Sequence, residues 1–245
     1  VIEVLKSGTY IGGRVVTEFE HAFANAVGSE TAVAVANGLD ALTLILQALP
    51  RNGKDKVIVP AQTFRATWLA VSRAGLQPIP VDVDYLGNLN PTRLGAALTT
   101  ETLAVIVVHL HGRPAAEEIA RVCARARVPL IEDAAQAHGA FWCGTRVGSI
   151  GLAAAFSFYP TKNLGAVGDA GAVTTNDWEL AQRVRALANY GEGGPDLGLR
   201  NLQSAMNSRM DPIQAVYLKR SLPLLDVWNG RRRGNAQRLL DSVSS

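Results

Sequence analysis

Short apolar runs rich in valine and isoleucine alternate with longer amphipathic stretches along most of the chain. Within the runs, apolar residues follow one another instead of alternating with polar ones, which is typical of strands covered on both faces of a mainly parallel sheet. The predicted strands are Thr31 to Ala36, Lys56 to Val59, Pro78 to Val83, Leu103 to His109, Pro129 to Glu132, Ala154 to Phe158 and Gly171 to Thr175. The pattern therefore predicts an α/β fold, with a mainly parallel seven-stranded sheet sandwiched by helices.

Helical spacing of apolar residues fills the gaps between these strands. The predicted helices open near Gly38 and continue over Leu42 to Leu49, and then cover Thr67 to Arg73, Ala116 to Ala126, Trp178 to Ala188, Asp211 to Leu222 and Leu225 to Leu240. Asp177 is a suitable N-cap for the helix at Trp178. Residues 191–198 (GEGGPDLG) have the composition of a flexible loop.

Composition adds bounds on the class of protein. The chain has 245 residues, of which 48% are hydrophobic and 18% charged, enough for one large domain with a sizeable core. The net charge of +3 is weak, and its single basic cluster, Arg231-Arg232-Arg233, indicates a solvated helix face rather than a nucleic-acid patch. No apolar run approaches the roughly 20 residues that a bilayer requires. We therefore expect neither nucleic-acid nor membrane partners.

The cysteines and histidines carry little chemistry. Cys123 and Cys143 lie far apart without CxxC spacing, which predicts free thiols in a reducing cytoplasm. His109 and His111 have no nearby residues that would complete a ligand set, so no metal site is predicted.

Reactive side chains gather where the predicted strands end, which is where open α/β sheets bind ligands. Gly38 opens a helix and can offer free backbone N–H groups to an anion. Ser157 ends a strand, and Lys162 follows five positions later. Asp133 ends a very apolar strand, so its carboxylate should be partly buried and should need a cationic partner or several donors.

One cofactor can use all of these groups at once. Pyridoxal 5′-phosphate (PLP) offers a phosphate, an aldehyde that condenses with lysine, and a pyridine nitrogen that an aspartate keeps protonated. Gln136 could hydrogen-bond the ring hydroxyl, and Phe64 could stack on the ring. Taken singly, each residue has an ordinary structural explanation, such as a surface lysine or a helix cap. Their joint occurrence in this order favours PLP, whereas His138 is interpreted as a structural histidine.

Longer motifs contain these residues. The most specific is FSFYPTKNLGAVGDAGAV at residues 156–173, and others are NGLDAL from Asn37, IEDAAQAHGA from Ile131 and NSRMDPIQAVYLKRSLPLLDVWNGRRR from Asn207. Over almost its whole length the chain resembles the DegT/DnrJ/EryC1/StrS aminotransferases, a family of the aspartate-aminotransferase fold type I.

The resemblance implies a role for each candidate residue. Lys162 would be the catalytic lysine that holds PLP as a Schiff base, and Asp133 would pair with the ring nitrogen. The other implied cofactor contacts are Gln136 to the ring hydroxyl, Ser157 and the backbone N–H groups of Gly38 and Leu39 to the phosphate, Phe64 to the ring face, and Asn207 to the phosphate in a neighbouring subunit. The last contact implies a homodimer with shared active sites. Tyr190 and Arg209 are the expected substrate contacts.

The chain also departs from the family pattern. Many members have threonine where Leu39 stands, and NGLDAL resembles members from macrolide and related amino-sugar pathways. Many members carry a Lys-Tyr pair in the segment that follows Tyr190, and here EGGPDLGLRNL stands instead. Members normally continue into a small C-terminal domain. The resemblance thus implies that residues 1–224 form the PLP-binding large domain, that residues 225–245 form a connecting helix, and that the small domain is largely absent from this chain.

The leading hypothesis is an aminotransferase that moves an amino group, with glutamate as expected donor, to a nucleotide-diphospho keto-deoxysugar in amino-sugar biosynthesis. An aminocyclitol aminotransferase of the same family and a catalytically silent binding subunit are the alternatives. Related sugar dehydratases replace the lysine with histidine, so Lys162 argues against that activity. A dinucleotide-binding module is disfavoured because no GxGxxG follows the first strand.

Overall fold

The computed structural model describes residues 1–115, 117–193, 195–197, 199 and 204–243. Its main sheet contains seven strands, here labelled in chain order with a separate two-stranded hairpin. The strands are β1 (Thr31–Val35), β2 (Lys56–Pro60), β3 (Gln77–Val81), β4 (Thr102–Val108), β5 (Leu130–Asp133), the hairpin strands β6 (Phe141–Trp142) and β7 (Thr145–Arg146), β8 (Ala153–Ser157) and β9 (Gly171–Thr175). Each predicted strand is present within a residue or two of its expected bounds.

The sheet order is β1-β9-β8-β5-β4-β2-β3. β9 runs antiparallel to both of its neighbours, and every other pairing is parallel, which confirms the predicted mainly parallel sheet. Gly171, the first residue of β9, is in register with Val35 of β1 and with Ser157 of β8. Asp133 at the end of β5 is paired with Ala155 of β8. The ends of β1, β5 and β8 therefore meet along one edge of the sheet.

The helices are α1 (Ile2–Ser7), α2 (Arg14–Val27), α3 (Gly38–Ala48), α4 (Arg65–Arg73), α5 (Pro91–Ala97), α6 (Glu117–Ala126), α7 (Trp178–Ala188), α8 (Pro212–Ser221) and α9 (Leu225–Val243). The sequence pattern predicted α3, α4 and α6 to α9, whereas α1, α2, α5 and the hairpin were not predicted. Ala116, the expected first residue of α6, lies outside the described residues, as do Gly194 and Gly198 of the predicted glycine-rich loop.

Apolar side chains cover both faces of the sheet, because successive strand residues point to opposite sides. Val33 and Val35 of β1 pack in a core with α3, α4 and α7. Ala32 and Ala34 of the same strand pack with α2 and α8, while α5 and α6 cover β2 and β4 on that side. The sheet is thus sandwiched as predicted. Among the described residues, no helix is both long and apolar enough to cross a bilayer.

Candidate active site

A cavity of about 520 Å³ opens at the edge of the sheet where β1, β5 and β8 end. Most of the residues expected to hold a cofactor line it: Gly38, Leu39, Phe64, Asp133, Gln136, Ser157 and Lys162. They come from separate loops and strand ends spread over more than a hundred positions of sequence, so the tertiary fold, rather than local sequence, brings them together.

One wall of the cavity is the N-terminus of α3. The Asn37 side chain caps the helix by accepting the N–H of Asp40 at 2.8 Å. The first N–H groups of a helix have no intrahelical acceptor, and those of Gly38 and Leu39 find none among the described residues. Ser157 lies against Gly38, and its Oγ accepts the Tyr159 N–H at 3.4 Å, which leaves the hydroxyl proton for another acceptor. This corner is suited to an anion such as a phosphate.

Asp133 also lines the cavity, with only 7% of its surface exposed. Its Oδ2 accepts the Thr67 hydroxyl at 2.8 Å, and its Oδ1 accepts the Ala135 N–H at 3.2 Å. Burial raises the pKa of the Asp133 carboxyl, although these hydrogen bonds and the charge of Lys162 act in the opposite sense. Within the described parts of the chain Asp133 has no ion-pair partner. A protonated ring nitrogen would supply the missing cation.

Lys162 is half-buried in the loop after β8, where its backbone N–H donates to the Tyr159 carbonyl at 2.8 Å. Burial lowers the pKa of the Lys162 ammonium, and the nearby Asp133 carboxylate opposes that shift. A lysine with a lowered pKa carries more of the neutral amine, which is the form that attacks an aldehyde.

Gln136 and Phe64 complete the ring site. The Gln136 Oε1 accepts the His111 N–H at 2.7 Å, so the amide nitrogen remains available as a donor, and Gln136 lines the cavity. Phe64 precedes α4 and is 62% exposed, so its ring is accessible to a planar ligand. A donor for a ring oxygen and an aromatic surface therefore occupy the positions that the resemblance implies.

Other cavity residues were missed by the sequence analysis: Thr63, Tyr159, Thr161 and Asp169. Thr67 was also missed, although it contacts Asp133 directly. Thr63 and Thr67 lie four positions apart on either side of the start of α4, and two threonines at that spacing beside Phe64 could have drawn attention to them.

Two histidines are buried and do not line the cavity. His109 contacts Glu132 at 3.0 Å through Nε2 and accepts the Ala115 N–H through Nδ1. The Glu132 carboxylate also accepts backbone N–H groups from the loop after β7, at Gly148, Ile150 and Gly151. His138 is enclosed beside the rings of Phe156 and Phe158, and burial lowers its pKa to about 3. His138 is therefore neutral at physiological pH.

The remaining candidates form a separate cluster. Asn207 and Asn189 pair through their backbones in an isolated antiparallel β-bridge. The Arg209 guanidinium donates to Asn189 Oδ1 at 2.9 Å. The same guanidinium lies 5.5 Å from the centroid of the Tyr190 ring. Asn207 is exposed, and neither it nor Tyr190 nor Arg209 lines the cavity of its own chain.

The chain is similar to known proteins over almost its whole length. The model of the DegT/DnrJ/EryC1/StrS aminotransferase family matches residues 1–244. The chain belongs to this family. This match confirms the resemblance that the motifs indicated. Aminotransferases of this family depend on PLP as their cofactor. Solved structures that share the fold contain PLP or its amine form.

Relatives with a similar sequence include two sugar transaminases. The chain is 44% identical to the dTDP-3-amino-3,4,6-trideoxy-alpha-D-glucose transaminase of Streptomyces venezuelae, with 100% of this chain and 64% of that protein covered. It is 46% identical to the dTDP-3-amino-3,6-dideoxy-alpha-D-galactopyranose transaminase of Aneurinibacillus thermoaerophilus, over 99% of this chain and 66% of the relative.

Among solved structures, the S. venezuelae DesV crystal structure superposes with a TM-score of 0.91 at 42% identity, over 100% of this chain and 66% of that one. The chain thus spans slightly less than two thirds of the length of these relatives. The whole of this chain shares its fold with that crystal structure.

Proposed function

We propose that the protein containing this chain is a PLP-dependent aminotransferase that acts on a nucleotide-linked keto-deoxysugar. The observation that carries the proposal is the shared cavity, in which Lys162 and Asp133 line the same space as the Gly38–Ser157 anion corner. An amine nucleophile, a buried carboxylate and an anion site are the groups that the aldehyde, ring nitrogen and phosphate of PLP require.

Each residue has a separate task in this proposal. The Gly38 and Leu39 N–H groups and the Ser157 hydroxyl bind the phosphate, Phe64 covers one ring face, and the Gln136 amide N–H donates to the ring oxygen. Bound there, PLP supplies a carbonyl carbon for the amino group and a ring that withdraws electrons. Asp133 holds the proton on the ring nitrogen. Lys162 would hold the cofactor and, when its Nζ is free, would act as the base that accepts and returns the proton of the carbon bearing the amino group.

The substrate class comes from the relatives. Several relatives are aminotransferases of dTDP-linked or UDP-linked sugars. Another relative is the erythromycin biosynthesis sensory transduction protein EryC1. We infer the same class of substrate here, within amino-sugar and antibiotic biosynthesis, with glutamate as the amino donor. Tyr190 and Arg209 are the proposed substrate contacts, because Arg209 offers a cation and Tyr190 an exposed ring next to it.

A homodimer with shared sites is part of the proposal. Asn207 is exposed and does not line the cavity of its own chain, which supports a contact with the phosphate in a neighbouring subunit. Large apolar side chains near the cavity are also exposed, including Phe64 at 62% and Tyr159 at 52%, and a second copy would bury them.

Residues 1–224 contain the sheet and the cavity, whereas α9 contacts them mainly through Leu225 and Asn229, and residues 230–243 are exposed. We propose that residues 225–245 form a connecting helix. Both cysteines are free thiols, which supports a cytoplasmic location.

The test offers the full-length, PLP-loaded protein glutamate together with nucleotide-linked keto-deoxysugars, free keto-sugars and keto-cyclitols. We expect amination of the nucleotide-linked sugars, detected by mass spectrometry of the product. Amination of cyclitols alone would establish the aminocyclitol alternative. Loaded protein that aminates none of them would leave a silent binding subunit.

A further inference from the structure

A chain of two hydroxyl groups reaches Asp133 from the start of α4. The Thr67 Oγ1–H donates to Asp133 Oδ2 at 2.8 Å, and Thr63 Oγ1 lies 2.9 Å from Thr67 Oγ1. Thr67 is fully buried, whereas Thr63 lines the cavity. A buried hydroxyl that binds a buried carboxylate is well placed to influence the charge state of that carboxylate.

The direction of these bonds follows from counting protons. An ionised carboxylate can only accept, so the single hydroxyl proton of Thr67 points to Asp133. The Thr67 oxygen then accepts the proton of Thr63, which gives the direction Thr63 to Thr67 to Asp133. A protonated Asp133 would need none of this, since it could donate to Thr67 itself. The Thr67 hydrogen bond lowers the pKa of the Asp133 carboxyl and so opposes the effect of burial, which raises that pKa.

The same helical turn also carries the exposed aromatic ring. Phe64 precedes α4, and its carbonyl accepts the Thr67 N–H at 3.1 Å. The backbone of this turn therefore fixes Thr67 relative to Phe64. Because Ala135 N–H holds the other carboxylate oxygen at 3.2 Å, both oxygens of Asp133 have a fixed donor. One short segment thus fixes the position of the aromatic ring relative to the hydroxyl that binds the carboxylate.

We propose that Thr67, supported by Thr63, is a positioning residue that keeps Asp133 ionised and oriented toward the ring nitrogen of PLP. This inference rests on the proposed role of Asp133 and is independent of the sugar substrate. It adds to the site Thr67, a buried residue outside the cavity lining that would act on the cofactor through Asp133.

The experiment measures two properties of the full-length protein: the dissociation constant of PLP, and the pH midpoint of the visible absorbance band of the lysine-bound cofactor. Thr67→Val keeps the shape of the side chain and removes the hydroxyl. We expect it to weaken PLP binding about tenfold, since a hydrogen bond to a charged group is lost, and to shift the pH midpoint. Thr67→Ser should restore both properties, and Thr63→Val should shift them in the same sense by less.

Thr174→Val is the matched control, because Thr174 is equally buried and donates its hydroxyl to the Gly148 carbonyl, away from Asp133. It should leave the pH midpoint unchanged. Wild-type affinity and midpoint in Thr67→Val, or no rescue by serine, would overturn the inference. If Thr67→Val does not fold, an unchanged midpoint in Thr63→Val overturns it. Asp133→Asn distinguishes failure of the Thr67 proposal from failure of the Asp133 proposal. If Asp133→Asn also leaves the PLP affinity and the pH midpoint unchanged, the proposed role of Asp133 itself is wrong.

Discussion

Gly38 lies so close to Ser157 that a Cβ on the glycine would sit 2.7 Å from the Ser157 Cβ. The glycine is therefore required by the close approach of helix α3 to the end of β8. That approach brings the free N–H groups of the helix and the Ser157 hydroxyl to the same corner of the cavity. The proposed phosphate site depends on this one contact.

Gly38→Ala should weaken the binding of PLP by about tenfold or more, and cost about 1–3 kcal/mol of stability, because the helix must move away from Ser157. Binding of pyridoxal, which lacks the phosphate, should change much less. Isothermal titration with both ligands measures the difference. Gly95→Ala is the control, since no atom lies within 4 Å of the added Cβ, and it should be neutral or stabilising. Equal losses for both ligands would contradict the phosphate assignment.

Lys162 should be the residue that carries PLP, because burial lowers its pKa and it shares the cavity with Asp133. Reduction of the loaded protein with borohydride, followed by peptide mapping, should find the label on the peptide that contains Lys162. Lys162→Ala should abolish both the label and the visible band. A label on Lys54 or Lys219 would refute the assignment.

Asp133→Asn should separate stability from function. Burial raises the folded-state pKa of Asp133, so proton uptake stabilises the fold below the unfolded pKa and that stabilisation is lost as the pH rises through the folded pKa. At pH 8 the cofactor-free variant should therefore be more stable than wild type, on the order of 1 kcal/mol. The gain should disappear in acid, while turnover is nearly abolished.

Denaturant titrations of the cofactor-free protein at pH 8 and in acid measure this difference. Asp55→Asn, at an exposed position, should show no gain at either pH. A less stable Asp133→Asn at pH 8 would mean that the buried carboxylate is compensated within the apoprotein.

His138 should make the fold sensitive to acid. Its folded-state pKa is lowered by burial from 6.5 to about 3, so its stabilising contribution is present above pH 6.5 and is lost as the pH falls toward 3. Between these two pH values, the free energy of unfolding falls by about 1.4 kcal/mol per pH unit for one such group. His138→Leu should flatten the pH dependence of the unfolding free energy between pH 4 and 6.5. An unchanged slope would show that His138 is charged, or solvated, in the fold.

Mixed dimers test the proposed role of Asn207 across the subunit interface. Asn207→Ala and Lys162→Ala chains should each be weak alone, but a mixed dimer places both lesions in one site and leaves the other intact. Random mixing should recover roughly a quarter of wild-type activity. The control mixes Lys162→Ala with Asp133→Asn, whose lesions both lie in the cavity of their own chain, and should recover none. The absence of recovery in the first mixture would exclude the shared-site geometry.

The sequence by itself determined the strands and most of the helices, because consecutive apolar residues and helical spacing are local signals. It also indicated Asp133, Ser157 and Lys162 as candidates, since each follows directly from its position at or just after a strand end. The helices α1, α2 and α5 and the β6–β7 hairpin escaped, although α2 has an apolar face that packs Phe19 and Phe23 against Phe158.

Only the tertiary structure decided which side chains meet. Thr67 and Asp133 are 66 residues apart, and nothing in the local pattern of either connects them. The parallel pairing of β4, β5 and β8, together with β9 between β1 and β8, brings the strand ends to one edge. The direction of the hydroxyl chain, the lowered pKa of Lys162 and the separation of Asn207 from its own cavity all follow from that placement, because burial and distance are properties of the folded chain.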